Sequence, residues 1–183
     1  GVQTCALPIL NPEKGESAAE RLKNVTEDEL EGMLVENSDE PYAAEIAQQV
    51  MKKLRQGEMI DTTTKLYETI EEALSFIPEK ERKEAVKKSC QRTFQALRID
   101  VNSEFEVLYA LMEKLPSALK SGGKVAILTF HSGEDRIVKK AFKEWKKAGV
   151  YSEIANDVIR PSAKECVRNS LAKSTKMRWA IKA

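Results

Sequence analysis

Within six residues, His131, Ser132, Gly133, Glu134, Asp135 and Arg136 bring together an imidazole, a hydroxyl, two carboxylates and a guanidinium. An imidazole has an unperturbed pKa of about 6.5 and exchanges protons near neutral pH. A guanidinium offers a planar fork of donors suited to phosphate or a base edge. The six follow an apolar, β-branched run, residues 124–130, and precede a helical pattern. They therefore stand beyond the carboxyl end of a predicted strand, where open α/β sheets hold their ligands. A plainer reading covers part of the set. Ser132 is a natural N-cap, and Glu134 and Asp135 in a first turn complement the positive helix end. Both readings stay open for those three, whereas His131 and Arg136 are not explained by capping.

A second set, Arg92, Gln95, Arg98 and Asn102, recurs at three- and four-residue spacing along a predicted helix. By pattern alone it is that helix's wet face. The three cysteines, Cys5, Cys90 and Cys166, lack zinc-ligand spacing, and His131, the one histidine, has no cysteine near it in sequence, so neither a metal site nor a disulfide is expected. Gly122-Gly123 is not followed by a phosphate- or ribose-binding pattern.

The elements that must position these residues are legible as caps and periodicities. Residues 11–15 read as a turn and helical signals begin at Ser17. Thr26 and Glu29 fit a capping box, predicting a helix to about Asn37. The next starts near Pro41, carries Ala44, Ile46, Ala47, Val50, Met51 and Leu54 on one face, and ends at Gly57. Another follows Thr62-Thr63 and stops before Pro78, so that residues 17–77 form a small helical unit. Residues 81–99 are again helical, with Phe94, Leu97 and Val101 along one side. Ser103 and Glu106 predict a further capping box, opening a helix that turns Phe105, Leu108, Leu111 and Met112 inward and closes around Pro116. The run 124–130 reads as a strand buried on both faces, as in a parallel sheet. A helix then extends to about Lys147, with Ile137, Val138, Ala141, Phe142 and Trp145 on one arc and basic residues on the other. A last strand, residues 177–182, is predicted at a sheet edge.

The net charge of +1 hides an asymmetry. Residues 11–50 hold 11 acidic residues against Lys14, Arg21 and Lys23, whereas from Arg160 onward seven basic residues face only Glu165. Contact with a polyanion is expected at the basic end. The longest apolar runs fall far short of the roughly 20 residues of a membrane span, and no secretory pattern is present; a cytoplasmic address follows as the default expectation.

Two blocks change the odds for the polar stripe. Arg92-Thr93-Phe94-Gln95-Ala96-Leu97-Arg98-Ile99 with Val101-Asn102, and Phe130-His131-Ser132-x-Glu134-Asp135-Arg136-Ile137-Val138-Lys139, resemble hallmark motifs of the bacterial 16S rRNA cytosine-N4 methyltransferase family, RsmH or MraW. Thr62-Thr63-Thr64, Gly122-Gly123, Arg160-Pro161-Ser162 and Ala172-Lys173-Ser174-x-Lys176-x-Arg178 resemble it as well, so the likeness runs from about Asn11 to the end. Two positions depart from it: Gly133 stands where the family usually has leucine, and Lys88-Ser89-Cys90-Gln91 where it has a His-Pro-Ala-Thr-like stretch.

The resemblance implies an α/β fold: the C-terminal part of a class I S-adenosylmethionine-dependent methyltransferase sheet, residues 91–183, plus an inserted all-α subdomain, residues 10–90. It implies transfer of a methyl group from S-adenosylmethionine to N4 of a cytosine in 16S rRNA of the small ribosomal subunit. His131, with Glu134 and Asp135, would be catalytic, His131 orienting the cytosine or taking its N4 proton. Arg92, Gln95, Arg98, Asn102, Ser132 and Arg136 would bind RNA. No donor-binding motif matches, so the donor site is expected upstream and the chain is expected to be a fragment, inactive alone. Val2–Ile9 resembles the translation of a common sequencing-library adapter, and residues 1–9 are accordingly set aside. The competing readings are a donor-less RNA-binding or ribosome-assembly protein derived from the family, and a helical interaction module.

Overall fold

A computed structural model describes residues 17–183, the side chain of Leu171 excepted. The adapter-like residues, the turn at 11–15 and Cys5 lie outside the described residues. The chain divides into two compact units between Glu104 and Phe105.

The first unit is all helix: α1 (Ala18–Asn24), α2 (Glu27–Ser38), α3 (Ala43–Arg55), α4 (Thr63–Ala73) and α5 (Glu79–Val101). Its helix starts follow local chemistry. Ser17 with Glu20, and Thr26 with Glu29, close reciprocal capping boxes, and the Thr62 hydroxyl accepts from Lys65 N–H. α3 begins two residues beyond Pro41, at Ala43, without a side-chain cap. α2 ends on Asp39 in the left-handed region (φ 51°), its N–H returning to the Val35 carbonyl at 3.0 Å. The apolar stripes of all five helices meet in one cluster that includes Leu22, Leu34, Ile46, Val50, Leu66, Ile70, Val86 and Leu97, each 0–1% exposed. Full burial of such side chains stabilises by about 1.5–3 kcal/mol each.

The second unit is α/β, as predicted. It contains α6 (Glu104–Ala118), β1 (Lys124–Thr129), α7 (Ser132–Lys147), β2 (Tyr151–Ile154), α8 (Ala163–Arg168), a 3-10 turn (Ser170–Ser174) and β3 (Lys176–Lys182). The strand order is β1-β3-β2, with β3 antiparallel to both neighbours. α7 buries Ile137, Val138 and Phe142 against this sheet, together with Met112 of α6 and Tyr151 of β2.

Several expectations need correction. Ser103 does not cap α6: its φ of 48° lies outside the extended region that an N-cap adopts. α6 runs through Pro116 to Ala118 instead of closing at the proline, which falls in the last turn, and Leu111 is 49% exposed rather than inward. β1 is not buried on both faces. Val125 and Ile127 pack on the helix side, while Ala126 and Leu128 point to the other face and stay exposed, because successive strand side chains alternate. Its pairing among the described residues is antiparallel, not parallel. β3 is the central strand of the three, not an edge, since β2 pairs along its far side. β2 and α8, four and six residues long, are too short to carry a periodic signal.

Candidate functional site

The turn from β1 into α7 is built around His131, which caps the helix in place of Ser132. Its Nδ1 accepts from Glu134 N–H at 3.4 Å, and the Glu134 carboxylate returns the contact by accepting from the Phe130 and His131 N–H groups at 2.7 and 3.4 Å. Accepting through Nδ1 requires the lone pair there, so the neutral ring carries its proton on Nε2, which faces Glu134 Oε1 at 3.5 Å. Nδ1 is thus held by the cap, and Nε2 lies within ion-pair distance of the same glutamate without a hydrogen bond to it. The imidazole is held at 13% exposure, and Phe105 lies against it with ring centroids 5.8 Å apart.

Asp135, one residue further, turns to the sheet. Arg178 of β3 donates to both its oxygens, Nε to Oδ1 at 2.7 Å and Nη2 to Oδ2 at 3.1 Å, with the side chains only 10% and 14% exposed. Burial pushes the Asp135 carboxyl up, but the Arg178 fork and the charges of Lys176 and Lys139 outweigh it and hold it below the usual carboxylate range. Asp135 therefore orients Arg178, and through it ties α7 to the central strand. Arg178 stands in the closing family-like stretch and in the basic C-terminal run, but neither motif nor charge pattern names Asp135 as its partner. Ser132 and Arg136 are exposed on the first turn of α7.

Gly133 has a packing reason. A Cβ there would stand 2.6 Å from Phe105 Cζ and 3.3 Å from the His131 ring. The ring of Phe105 thus occupies the space that a side chain at 133 would need.

The polar stripe of α5 belongs to the other unit. Arg98 makes a two-pronged pair with Glu104 at 2.9 and 3.1 Å, and the Asn102 amide donates to the Arg98 carbonyl at 2.7 Å. The Gln95 amide donates to the Asn37 carbonyl while the Asn37 amide donates to the Ala96 carbonyl, both at 3.3 Å, which fastens the end of α2. Arg92 approaches the buried Glu40 at 3.9 Å. Glu40 Oε1 accepts from the Ser89 hydroxyl (2.8 Å) and the Tyr42 N–H (3.1 Å). Burial, and then the charge of Glu40, push the neighbouring Cys90 thiol up to about 12 and keep it protonated. The structure thus brings His131, Glu134, Asp135 and Arg136 into one turn, and sets Arg92, Gln95, Arg98 and Asn102 along one helix of the helical unit.

Gly122-Gly123 does not offer S-adenosylmethionine, which the resemblance implies, a donor-binding loop. Gly122 N–H donates to the Lys182 carbonyl at 3.0 Å and Gly123 N–H to the Lys120 carbonyl at 2.8 Å, so neither amide is presented to a ligand. A Cβ at Gly123 would stand 2.7 Å from the Lys120 oxygen, so this glycine is required by its own turn.

An α/β unit whose strand end carries a histidine-capped helix, together with a separate helical unit, is consistent with a piece of a class I methyltransferase fold carrying a helical subdomain. The chain belongs to the MraW methylase family, whose model matches residues 9–183. It is 66% identical over 174 residues to the ribosomal RNA small subunit methyltransferase H 1 of Lachnoclostridium phytofermentans, covering 95% of this chain and 48% of the relative. The protein of the same name from Agathobacter rectalis is 64% identical, and methyltransferase H 2 of Acholeplasma laidlawii 51%, with 95% and 94% of this chain covered and half of each relative. The chain therefore spans about half the length of these curated relatives. Membership implies S-adenosylmethionine as methyl donor. No helix among the described residues is long and apolar enough to cross a membrane.

Proposed function

We propose that this chain is the RNA-receiving part of an enzyme that moves a methyl group from S-adenosylmethionine to N4 of a cytosine in 16S rRNA, the donor being held by sequence matching the other half of the relatives' length. The observation that carries this is the likeness, at 66% identity, to a small-subunit rRNA methyltransferase over 174 residues that include the whole β1–α7 turn. The N4 amine is a poor nucleophile, since its lone pair is delocalised into the ring. Help comes from holding the reacting atoms in line, from excluding water and from taking the base out of any stack.

The helical unit, which runs to Glu104 rather than stopping at residue 90 inside α5, acts as the inserted subdomain, and residues 105–183 act as part of the methyltransferase core. His131 orients the base. Its place in the helix cap favours this over proton removal, because a proton taken at Nδ1 would break the cap. Glu134 fixes the ring, Asp135 fixes the turn to the sheet, and Arg136 with Ser132 meets phosphate. Arg98, Arg92, Gln95 and Asn102 contribute to RNA contact only by exchanging the intramolecular bonds they now make.

The test is a chimera: the L. phytofermentans relative with its matching 174 residues replaced by those of this chain. It is expressed in a bacterium whose own enzyme of this family is deleted, and 16S rRNA is digested and analysed for N4-methylcytidine by mass spectrometry. Restored modification is expected, with a large loss on His131→Ala. A folded chimera that leaves the rRNA unmodified overturns the reading; one that binds the small-subunit rRNA without methylating it moves the assignment to RNA binding without catalysis.

A further inference from the structure

Gly133 is the second residue of α7, and a glycine within a helix is less stable there than an alanine. Its backbone gives no reason for it, since the glycines with positive φ are Gly57, Gly122 and Gly149. The reason is space. A Cβ at 133 would meet Phe105 Cζ at 2.6 Å, closer than real atoms pack, and Cε1 and Nδ1 of His131 at 3.3 Å. Phe105, the second residue of α6, lies in the same compact unit and packs against that unit's apolar cluster. The absent side chain therefore lets a ring from one helix reach the imidazole that caps another.

The imidazole needs that second hold. Its one hydrogen bond within the cap, from Glu134 N–H to Nδ1, is 3.4 Å long, against a usual ~2.9–3.0 Å, and Nε2 stands 3.5 Å from Glu134 Oε1 with no hydrogen bond to it. The torsion that turns an imidazole about its own axis is broad, so a single long bond leaves the ring plane loosely set. Phe105 supplies the contact that Glu134 does not, with ring centroids 5.8 Å apart and planes inclined by 40°. Separations of this size lie within the range in which aromatic pairs attract.

We propose that Phe105 is a positioning residue for the methyl transfer: admitted by Gly133, its ring fixes the plane in which His131 meets the cytosine. The proposal rests on the reading of His131 as the residue that orients the base, and it names the residue that orients His131. Phe105 acts through the imidazole. Its loss therefore misaligns the bound base and lowers kcat, while contacts that hold the RNA elsewhere keep KM unchanged. A ring at 105 and a side chain at 133 are alternative ways of filling one space against His131.

The test uses the chimera carrying isotope-labelled histidine, with the imidazole nitrogens of His131 identified in the NMR spectrum by their loss in His131→Ala. In the wild type they should give well-separated signals, Nδ1 as acceptor and Nε2 bearing the proton. Phe105→Ala is expected to draw the two signals together as the ring turns and exchanges tautomers. It should also lower kcat about tenfold, with KM for small-subunit rRNA changed by less than about twofold. Phe105→Leu keeps most of the bulk and should lose less than about threefold. Gly133→Leu combined with Phe105→Ala refills the space from the other side; it should separate the signals again and recover most of kcat, and it decides the matter even if Phe105→Ala alone does not fold. Thermal melting is followed alongside. Imidazole signals and kcat that match the wild type in Phe105→Ala overturn the proposal, and so does a lowered melting point with the signals unmoved, which would make Phe105 a packing residue only. Failure of the double variant to recover either readout overturns it as well. If His131→Ala methylates at the wild-type rate, the base-orienting reading fails and the proposal falls with it; if His131→Ala is impaired and Phe105→Ala is not, the proposal alone fails.

Discussion

Among the described residues, the helical unit gathers twenty buried apolar side chains into one cluster, whereas the sheet-containing unit gathers six. Large apolar side chains left exposed run the other way: Val35, Met59 and Phe76 in the first, against Val107, Tyr109, Leu111, Leu128, Phe130, Ile159 and Val167 in the second. The first unit is a closed solution, each helix presenting one stripe to a shared centre. The second closes one face of its sheet with α7 and leaves apolar groups on the other, with Leu128 and Phe130 at the strand end that carries His131. The larger buried core and the candidate site therefore lie in different units, and variants should behave differently in each.

The largest difference is expected in the cores. Leu34→Ala, at 0% exposure, should cost the helical unit about 2–5 kcal/mol in urea unfolding, whereas Leu128→Ser should shift the second unit by no more than about 0.5 kcal/mol. Equal losses would break the comparison. Next comes the pair that ties the second unit together. Arg178→Ala leaves the Asp135 carboxylate largely buried and unpaired and should cost towards the lower end of ~3–5 kcal/mol, while leaving the helical unit's amide exchange unchanged. Because folding lowers the Asp135 pKa, its contribution is complete above the unfolded value of about 3.9 and is lost as pH falls through the lower folded value. Asp135→Asn should accordingly flatten the acid limb of the second unit's stability profile; an unchanged limb would assign acid sensitivity to other carboxylates.

Smaller effects sharpen the picture of the turn. Gly133→Leu must displace Phe105 and should cost about 1–3 kcal/mol, partly recovered in a Phe105→Ala background; calorimetry showing no recovery would deny that the two positions share one space. Thr26→Ala, in the helical unit, should cost about 1 kcal/mol, as loss of an N-cap does. Smallest of all, Tyr151→Phe should be neutral or slightly stabilising by thermal melting, because the buried hydroxyl has no hydrogen-bond partner to lose.

Much of the helical unit was legible in the sequence because its determinants are local. A threonine three residues before a glutamate can close a capping box from neighbouring residues alone, as Thr26 and Glu29 do, whereas Ser103 and Glu106 met the same pattern but the Ser103 backbone is turned to φ 48° at the break between α5 and α6. The candidate site was legible as residue types and only partly as roles. Ser132, the better N-cap by propensity, lies inside the helix, and His131 takes its place because its ring reaches back to Glu134 N–H. The sheet was legible as apolar runs but not as an arrangement. Which strand is central depends on hydrogen bonds between residues up to 57 positions apart, such as Lys124 with Ile181, and no local pattern encodes that choice.

The sequence by itself determined the helices of the first unit, the strand–turn–helix that carries His131 to Arg136, the acidic and basic poles, and the family motifs, all properties of neighbouring residues. Only the tertiary structure decided that β3 lies between β1 and β2, that Arg178 answers Asp135, and that Phe105 fills the space left by Gly133. Each of these joins residues distant along the chain, and their meeting is set by packing and pairing across the fold, which no window of sequence contains.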